Sequence, residues 1–219
     1  MIISRVMTKN PVCVHPDMSV NDARALMDKE NIGKLPVLDK DNKLIGIVTK
    51  KDMLKAGPSP ATTLDMYEIS YLLSKLKIEK VMEKNVITVD ENEVVEEAAR
   101  IMADKDISCL PVMRRSGASG ELLVGIITGT DLFRVFVNAF GARHPGIRIT
   151  LNMTEKPGQL AHFAGAIAEK GGNIVAFVSS EGDDLSHRRG TIKITGLSRA
   201  DVEAAAQALP GTEIEDLRE

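Results

Sequence analysis

GIVTKKD at residues 46–52 and GIITGTD at residues 125–131 are the same phrase written twice. Each has a glycine, two β-branched residues, a threonine and an aspartate three positions after the threonine. The apolar run ending at the threonine reads as a strand, and the residues after it read as the start of a helix. Working outward, Met7 aligns with Met82 at an offset that holds without a gap. It carries Lys9/Lys84, Asn10/Asn85, Val14/Val89, Val20/Val95, Ala23/Ala98, Met27/Met102, Ile32/Ile107, Leu35/Leu110, Pro36/Pro111 and Val37/Val112. The offset lengthens only in a turn, DKDNK in one copy and RRSGASGE in the other, where insertions are tolerated. The chain therefore contains an internal repeat.

Each copy predicts a short strand (12–14, 87–89) and then a helix (20–27, 94–102), with Asp17 and Asn92 as N-caps. The strands KLPVLD and CLPVMR follow, then LIGIVT and LVGIIT, then a helix starting near Lys50 or Gly129. One unit of this size buries its apolar faces poorly alone. Two copies packed about a pseudo-twofold axis form one domain. Between them lies AGPSPATTLDMYEISYLLSKLKIEK. Pro58 and Pro60 break the preceding helix, and Thr62 or Thr63 can cap a new one. Leu64, Ile69, Leu72, Leu73 and Leu76 form its apolar stripe.

From Gly146 the pattern changes. GIRITLNM alternates as a strand, and Lys156-Pro157-Gly158 turns into the helix LAHFAGAIAEK, which Gly171 and Gly172 end. NIVAFVSS, the loop EGDDLSH, RRGTIKITG, a helix capped by Ser198 and TEIEDL complete a βαββαβ order, the split pattern of ferredoxin-like folds. The expected fold class is α+β. The expected divisions are 1–57 and 80–140 for the two motifs, 58–79 for the connecting helix and 146–219 for the second domain.

Composition bounds the function. Aromatics are 3% with no Trp, so the cores are aliphatic. A formal net charge of −3 speaks against a general phosphate-backbone binder, and so against nucleic acid. Lys50-Lys51 and Arg188-Arg189 are short basic clusters without a reading helix. No apolar run is long enough for a membrane span and no signal peptide is read, so the expected location is cytoplasmic. Cys13 and Cys109 form no CxxC and read as small buried side chains. His15, His144, His162 and His187 show no metal-ligand spacing, and no nucleophile elbow or Walker loop appears. Asp183, Asp184 and His187 form the nearest approach to a metal cluster but read as a solvated turn. The expectation is therefore no catalytic residue, no metal and no required cofactor.

The paired GIVTKKD and GIITGTD segments, the LPV strands and the leading VMTKNPV and VMEKNVI resemble CBS domains over about residues 1–138. The second domain, with its Pro-Gly-x-Leu turn and Gly-Asn-Ile, resembles an ACT domain. The order of both, with the segment ATTLDMYEISYLLSKL, resembles the AcuB-like acetoin-utilisation regulatory proteins. This resemblance implies a non-catalytic allosteric sensor that acts on a regulated protein; the sheet edge of the second domain and the helices of the first, left exposed in one copy, imply a homodimer or larger assembly. Its regulatory ligand is an adenosine compound: AMP, ADP, ATP or S-adenosylmethionine.

The resemblance also implies where that ligand sits. Asp52 and Asp131 would each accept both ribose hydroxyls, supported by Thr49 and Thr128, and the following helix N-terminus suits phosphate. For the Thr128/Asp131 cleft the other motif would supply Pro11, Val12, Gly33, Lys34 and Lys51. For the Thr49/Asp52 cleft it would supply Val86, Ile87, Ser108, Cys109 and Thr130. The lysines make the Asp131 cleft the expected site for phosphorylated ligands, with the Asp52 cleft taking weakly charged ones or none. Thr-x-x-Asp at a strand-to-helix junction is equally a capping box. The alternative is an amino-acid sensor, in which Pro157, Gly158 and Asn173 of the ACT-like domain contact the ligand and the CBS pair is a dimerisation scaffold. The same three residues also suit a turn and a strand entry.

Overall fold

The two copies of the repeat adopt the same local structure and exchange their leading segments. A computed structural model describes residues 1–57, 65–115, 120–182, 184 and 186–219, in two units, Met1–Leu132 and Phe133–Glu219. The first copy supplies β1 (Thr8–Lys9), α1 (Val20–Lys29), β2 (Lys34–Leu38), β3 (Leu44–Thr49) and α2 (Lys50–Lys55). A connecting helix, α3 (Met66–Lys75), follows. The second copy supplies β4 (Val89–Asp90), α4 (Val95–Asp104), β5 (Cys109–Arg115), β6 (Glu121–Thr128) and α5 (Gly129–Ala139).

Strand β1 leaves its own copy and pairs antiparallel with β6, Thr8 opposite Ile126 and Lys9 opposite Gly125. The matching segment of the second copy crosses the other way, with Glu83 bridging Ile47 of β3. The backbone bonds repeat with the same offset. Ile3 N–H donates to the Glu93 carbonyl at 2.8 Å and Ile78 N–H to the Met18 carbonyl at 2.9 Å. The first helix of each copy is completed the same way. Val20 N–H donates to the Leu76 carbonyl at 2.8 Å and Val95 N–H to the Met1 carbonyl at 2.9 Å. These bonds satisfy orphan donors at both helix N-termini.

The local cap expectation is corrected accordingly. Ser19, not Asp17, caps α1, accepting from Asp22 N–H at 3.0 Å. Asp17 lies two residues too early. Val94 stands at the N-cap of α4 with no side-chain bond, while Asn92 bonds back to Asp90. Asp65 caps α3; Pro58, Pro60, Thr62, Thr63 and Leu64 lie outside the described residues. Ile69 and Leu73 of α3, and Leu76 just after it, pack on the core, but Leu72 is 53% exposed, so the stripe is narrower than its leucines suggest.

Strands β1, β6, β5 and β4 form one sheet in that order, and β2 with β3 forms a hairpin. The first copy's core joins Val20, Met27, Leu35 and Val48 to Leu73 of α3 and Ile78 from the second copy's leading segment. Each such side chain contributes roughly 1.5–3 kcal/mol by leaving water.

The second unit contains β7 (Ile147–Thr154), α6 (Gln159–Glu169), β8 (Asn173–Glu181), β9 (His187–Thr195), α7 (Arg199–Gln207) and β10 (Thr212–Arg218). Its sheet is antiparallel in the order β10-β7-β9-β8, the split βαββαβ arrangement. Ile149, Leu151, Ile192 and Ile194 on one face meet Phe163, Ile167, Val202 and Ala206 of the helices. Ser198 caps α7, accepting from Asp201 N–H at 3.2 Å. Among the described residues no helix is long and apolar enough to cross a membrane.

The crossing segments explain the paired glycines. A Cβ on Gly46 would stand 3.2 Å from the Glu83 carbonyl oxygen, and one on Gly125 would stand 3.0 Å from that of Thr8, with the Met82 and Met7 thioethers closer still. Gly46→Ala and Gly125→Ala should each cost about 1–3 kcal/mol in urea unfolding, the usual penalty of overpacking. Unchanged midpoints in both variants would refute the close crossing.

Candidate functional site

Each Thr-x-x-Asp phrase lies where a strand of the repeat becomes a helix, and each closes on itself. Thr49 N–H donates to Asp52 Oδ2 at 2.9 Å, Thr49 Oγ1 donates to the same oxygen at 2.6 Å, and Asp52 N–H returns a bond to Thr49 Oγ1 at 3.3 Å. The second copy repeats this at 2.9, 2.7 and 3.4 Å between Thr128 and Asp131. Both phrases are thus capping boxes. The box fixes the carboxylate's direction without consuming it in the first copy. All the bonds it makes to Thr49 fall on Oδ2 of Asp52, leaving Oδ1 as an acceptor. Asp131 is more deeply placed, 5% exposed against the half-buried Asp52.

Asp52 and Thr49 line a cavity of about 500 Å³ in the first unit. Its far wall comes from the second copy's leading segment, Val86 and Ile87, and from Ser108 and Cys109 at the entry to β5. The structure therefore brings together six of the seven residues expected at this cleft. Thr130 is not among the lining residues. Lys51, expected to serve the Asp131 cleft, lines the Asp52 cavity, joined by Lys55 one turn along α2. As the second residue of a short helix whose third is Asp52, Lys51 shares the side of the fold that Asp52 faces. Two basic side chains thus edge the cleft expected to take weakly charged ligands or none.

Ile47, Glu83, Asn85, Asp106, Ile107 and Pro111 also line the cavity and were not singled out from the sequence. The repeat alignment already contained the signal, because they flank the chosen residues in the same segments. Asp106 adopts φ 51, and Asn31, its counterpart in the first copy, φ 52. A short polar side chain accommodates this left-handed conformation at the helix end.

Of the residues expected at the second cleft, Lys34 opens β2 opposite Thr49, and Gly33 accepts from Lys50 N–H at 3.0 Å. Pro11 and Val12 are half-buried in the first copy's leading segment. Cys13 is half-buried and donates to the Pro11 carbonyl at 3.2 Å. Burial pushes the Cys109 thiol up to about 11; the Lys34 ammonium pulls against this, and the Asp52 carboxylate adds to the rise. Lys34 itself is not among the residues that line the Asp52 cavity.

In the second unit Gly158 takes φ 91 at the entry to α6, the turn geometry its sequence implied, with Pro157 exposed beside it. Asn173 opens β8 opposite Thr195. The basic pair there is neutralised: Arg188 binds Glu155 at 2.8 Å and Arg189 binds Glu215 at 2.6 Å. Lys50 likewise binds Asp28 at 2.8 Å. Asp184 accepts from Ser186 Oγ at 2.6 Å and lies 2.9 Å from His187 Nδ1. The Ser186 and His187 hydrogen bonds hold its carboxyl down at about 2. Asp183 lies outside the described residues, among which no group of three metal-ligating side chains occurs.

Comparison with known proteins supplies the context. The CBS domain family matches residues 3–59 and 78–138, and the TTHA0829-like ACT domain family matches residues 145–218. The L-aspartate semialdehyde sulfurtransferase of Methanocaldococcus jannaschii is 33% identical over 135 residues, 62% of this chain and 23% of that protein. The chain thus spans about a quarter of that relative's length. A CBS domain-containing protein of Dictyostelium discoideum is 27% identical, the match covering 63% of this chain and 92% of that one. Among solved structures, the CBS domain pair of protein MJ0100 in complex with 5′-methylthioadenosine and S-adenosyl-L-methionine is 30% identical, with a TM-score of 0.51, covering 66% of this chain and 98% of the other. An acetoin utilization protein (AcuB) from Vibrio cholerae gives the same identity, TM-score and coverage.

The buried thiol offers a check on the cavity wall. Alkylation of Cys109 by iodoacetamide, followed by mass spectrometry, should accelerate about tenfold per pH unit from about pH 7 to about pH 10, because the thiolate is the nucleophile. A plateau near an ordinary thiol value of about 8.5 would show that Cys109 is not held in an apolar wall.

Proposed function

The chain belongs to the CBS-domain family and carries an ACT domain after its CBS pair, and we propose that it is a regulatory sensor that binds an adenosine-containing ligand in the cavity beside Asp52. The observation that carries this reading is the pre-oriented carboxylate of Asp52 at the edge of a cavity with apolar walls. Oδ2 is held by Thr49, and Oδ1 accepts the adjacent ribose hydroxyls. A charged acceptor is the strongest single partner for such a diol. Val86, Ile87, Ile107 and Pro111 offer an apolar slot for adenine. The volume, about 500 Å³, falls in the range of roughly 300–1,000 Å³ usual for small-molecule sites.

The solved CBS pair with 5′-methylthioadenosine and S-adenosyl-L-methionine supports the ligand class. Both ligands share the adenosine that the Asp52 cavity would recognise. Because the cavity is built from both copies of the repeat, a ligand there favours whichever mutual arrangement it fits best. That is the physical basis of a sensor. The ACT domain is the second regulatory module, and the partner it acts on is a further protein. The enzyme names among the relatives belong to proteins of which this chain spans about a quarter.

Calorimetry of the full chain with adenosine, AMP, ATP and S-adenosyl-L-methionine tests the reading. At least one should bind saturably, and Asp52→Ala should weaken it by more than about tenfold, since a charge-assisted bond contributes about 1.5–3 kcal/mol. The same substitution removes a cap costing about 1 kcal/mol, so circular dichroism should show the fold retained. No binding by any adenosine compound, or an Asp52→Ala protein of unchanged affinity, would overturn the assignment. Binding of an amino acid alone would move the sensing role to the ACT domain.

A further inference from the structure

The two clefts of the repeat differ in charge: Lys51 is matched by Thr130 and Cys109 by Lys34, and two carboxylates differ as well. Around Asp52 the cavity is edged by Glu83 and Asp106 as well as by Lys51 and Lys55. At the aligned positions of the other copy, Glu83 is matched by Thr8 and Asp106 by Asn31. All four charged groups around Asp52 are exposed, and among the described residues none of them is in an ion pair. Glu83 keeps one oxygen on the Asn85 N–H at 2.7 Å, and both residues line the cavity.

A ribose held at Asp52 leaves its 5′ substituent to meet this mixed rim. A phosphate chain carries only negative charge. It would gain from the two lysines and lose against the two additional carboxylates, while adding to the negative charge of Asp52. A substituent bearing both an ammonium and a carboxylate satisfies both kinds of rim group. A sulfonium centre adds a positive charge to a lining that, counting Asp52, has three carboxylates and two ammonium groups. Like charges brought together at close range repel, and opposite ones attract, with a strength that grows as water is displaced.

We infer that the Asp52 cavity selects adenosine carrying a zwitterionic or cationic 5′ substituent over adenosine phosphates, with Glu83 and Asp106 as the specificity-determining residues. This rests on the adenosine reading of the cavity given above. Both residues are open to conservative change. Glu83→Gln retains an oxygen for the Asn85 N–H. Asp106→Asn places at φ 51 the residue type that the other copy carries at φ 52.

The test is calorimetry of the full chain with S-adenosyl-L-methionine, 5′-methylthioadenosine, AMP and ATP, on the unchanged protein, on Asp52→Ala and on Glu83→Gln/Asp106→Asn. Counting only the binding that Asp52→Ala removes isolates this cavity from the second cleft. The unchanged protein should bind S-adenosyl-L-methionine more tightly than ATP. The double variant should shift that ratio toward ATP by at least about tenfold, while 5′-methylthioadenosine, with no charge at its 5′ position, should move less than threefold. A ratio that stays put in the double variant, or an unchanged protein that prefers ATP in this cavity, would overturn the selectivity and leave the site standing. If Asp52→Ala removes no binding of any compound, the site itself has failed.

Discussion

The constraint on which the first unit depends is the mutual crossing of the two leading segments. Thr8 and Lys9 complete the sheet of the second copy, while Glu83 pairs with Ile47 in the first. The same crossing delivers the Met1 and Leu76 carbonyls to the N-termini of α4 and α1. Without its partner, each copy would leave a strand edge and a helix end unsatisfied, and buried backbone groups cannot be left so without cost. The crossing also builds the cavity, because Val86 and Ile87 reach the side of the fold where Thr49 and Asp52 lie. Fold completion and the cavity proposed as the ligand site are consequences of one connection.

That connection explains what a reader of the sequence can and cannot see. The repeat, the paired strands and the split pattern of the second domain are visible because they depend on local periodicity. Gly46 and Gly125 are visible as a matched pair, although their reason, the backbone crossing over each, is not. Asn92 does not cap α4, whose leading bond comes from Met1, far away in the chain, which a local pattern cannot register; α1 is capped locally by Ser19, two residues after Asp17. Lys51 lines the Asp52 cavity from its position beside Asp52 on α2, a placement that the resemblance alone does not give. Glu83 lies inside the VMEKNVI segment, but the pattern marks neither it nor Asp106 as a site residue. Their significance rests on what surrounds them.

The capping box and the proposed ligand-binding role are not competing explanations of Asp52. The box is what makes the carboxylate useful, since a side chain anchored through Oδ2 presents Oδ1 without an ordering cost when a ligand arrives. Asp131 has the same box and a deeper position, so the duplication has kept the scaffold twice while the rim residues diverged. Retention of geometry with divergence of charge is how a repeated site comes to distinguish ligands of similar shape.

The central claim is that a single ligand touches both copies of the repeat at once. Hydrogen–deuterium exchange of the full chain with and without saturating S-adenosyl-L-methionine tests this most directly. The account predicts slowed exchange in residues 49–55 of the first copy and, in the same experiment, in residues 83–87 of the second. Protection confined to one of these segments, with the ligand bound to saturation, would contradict it.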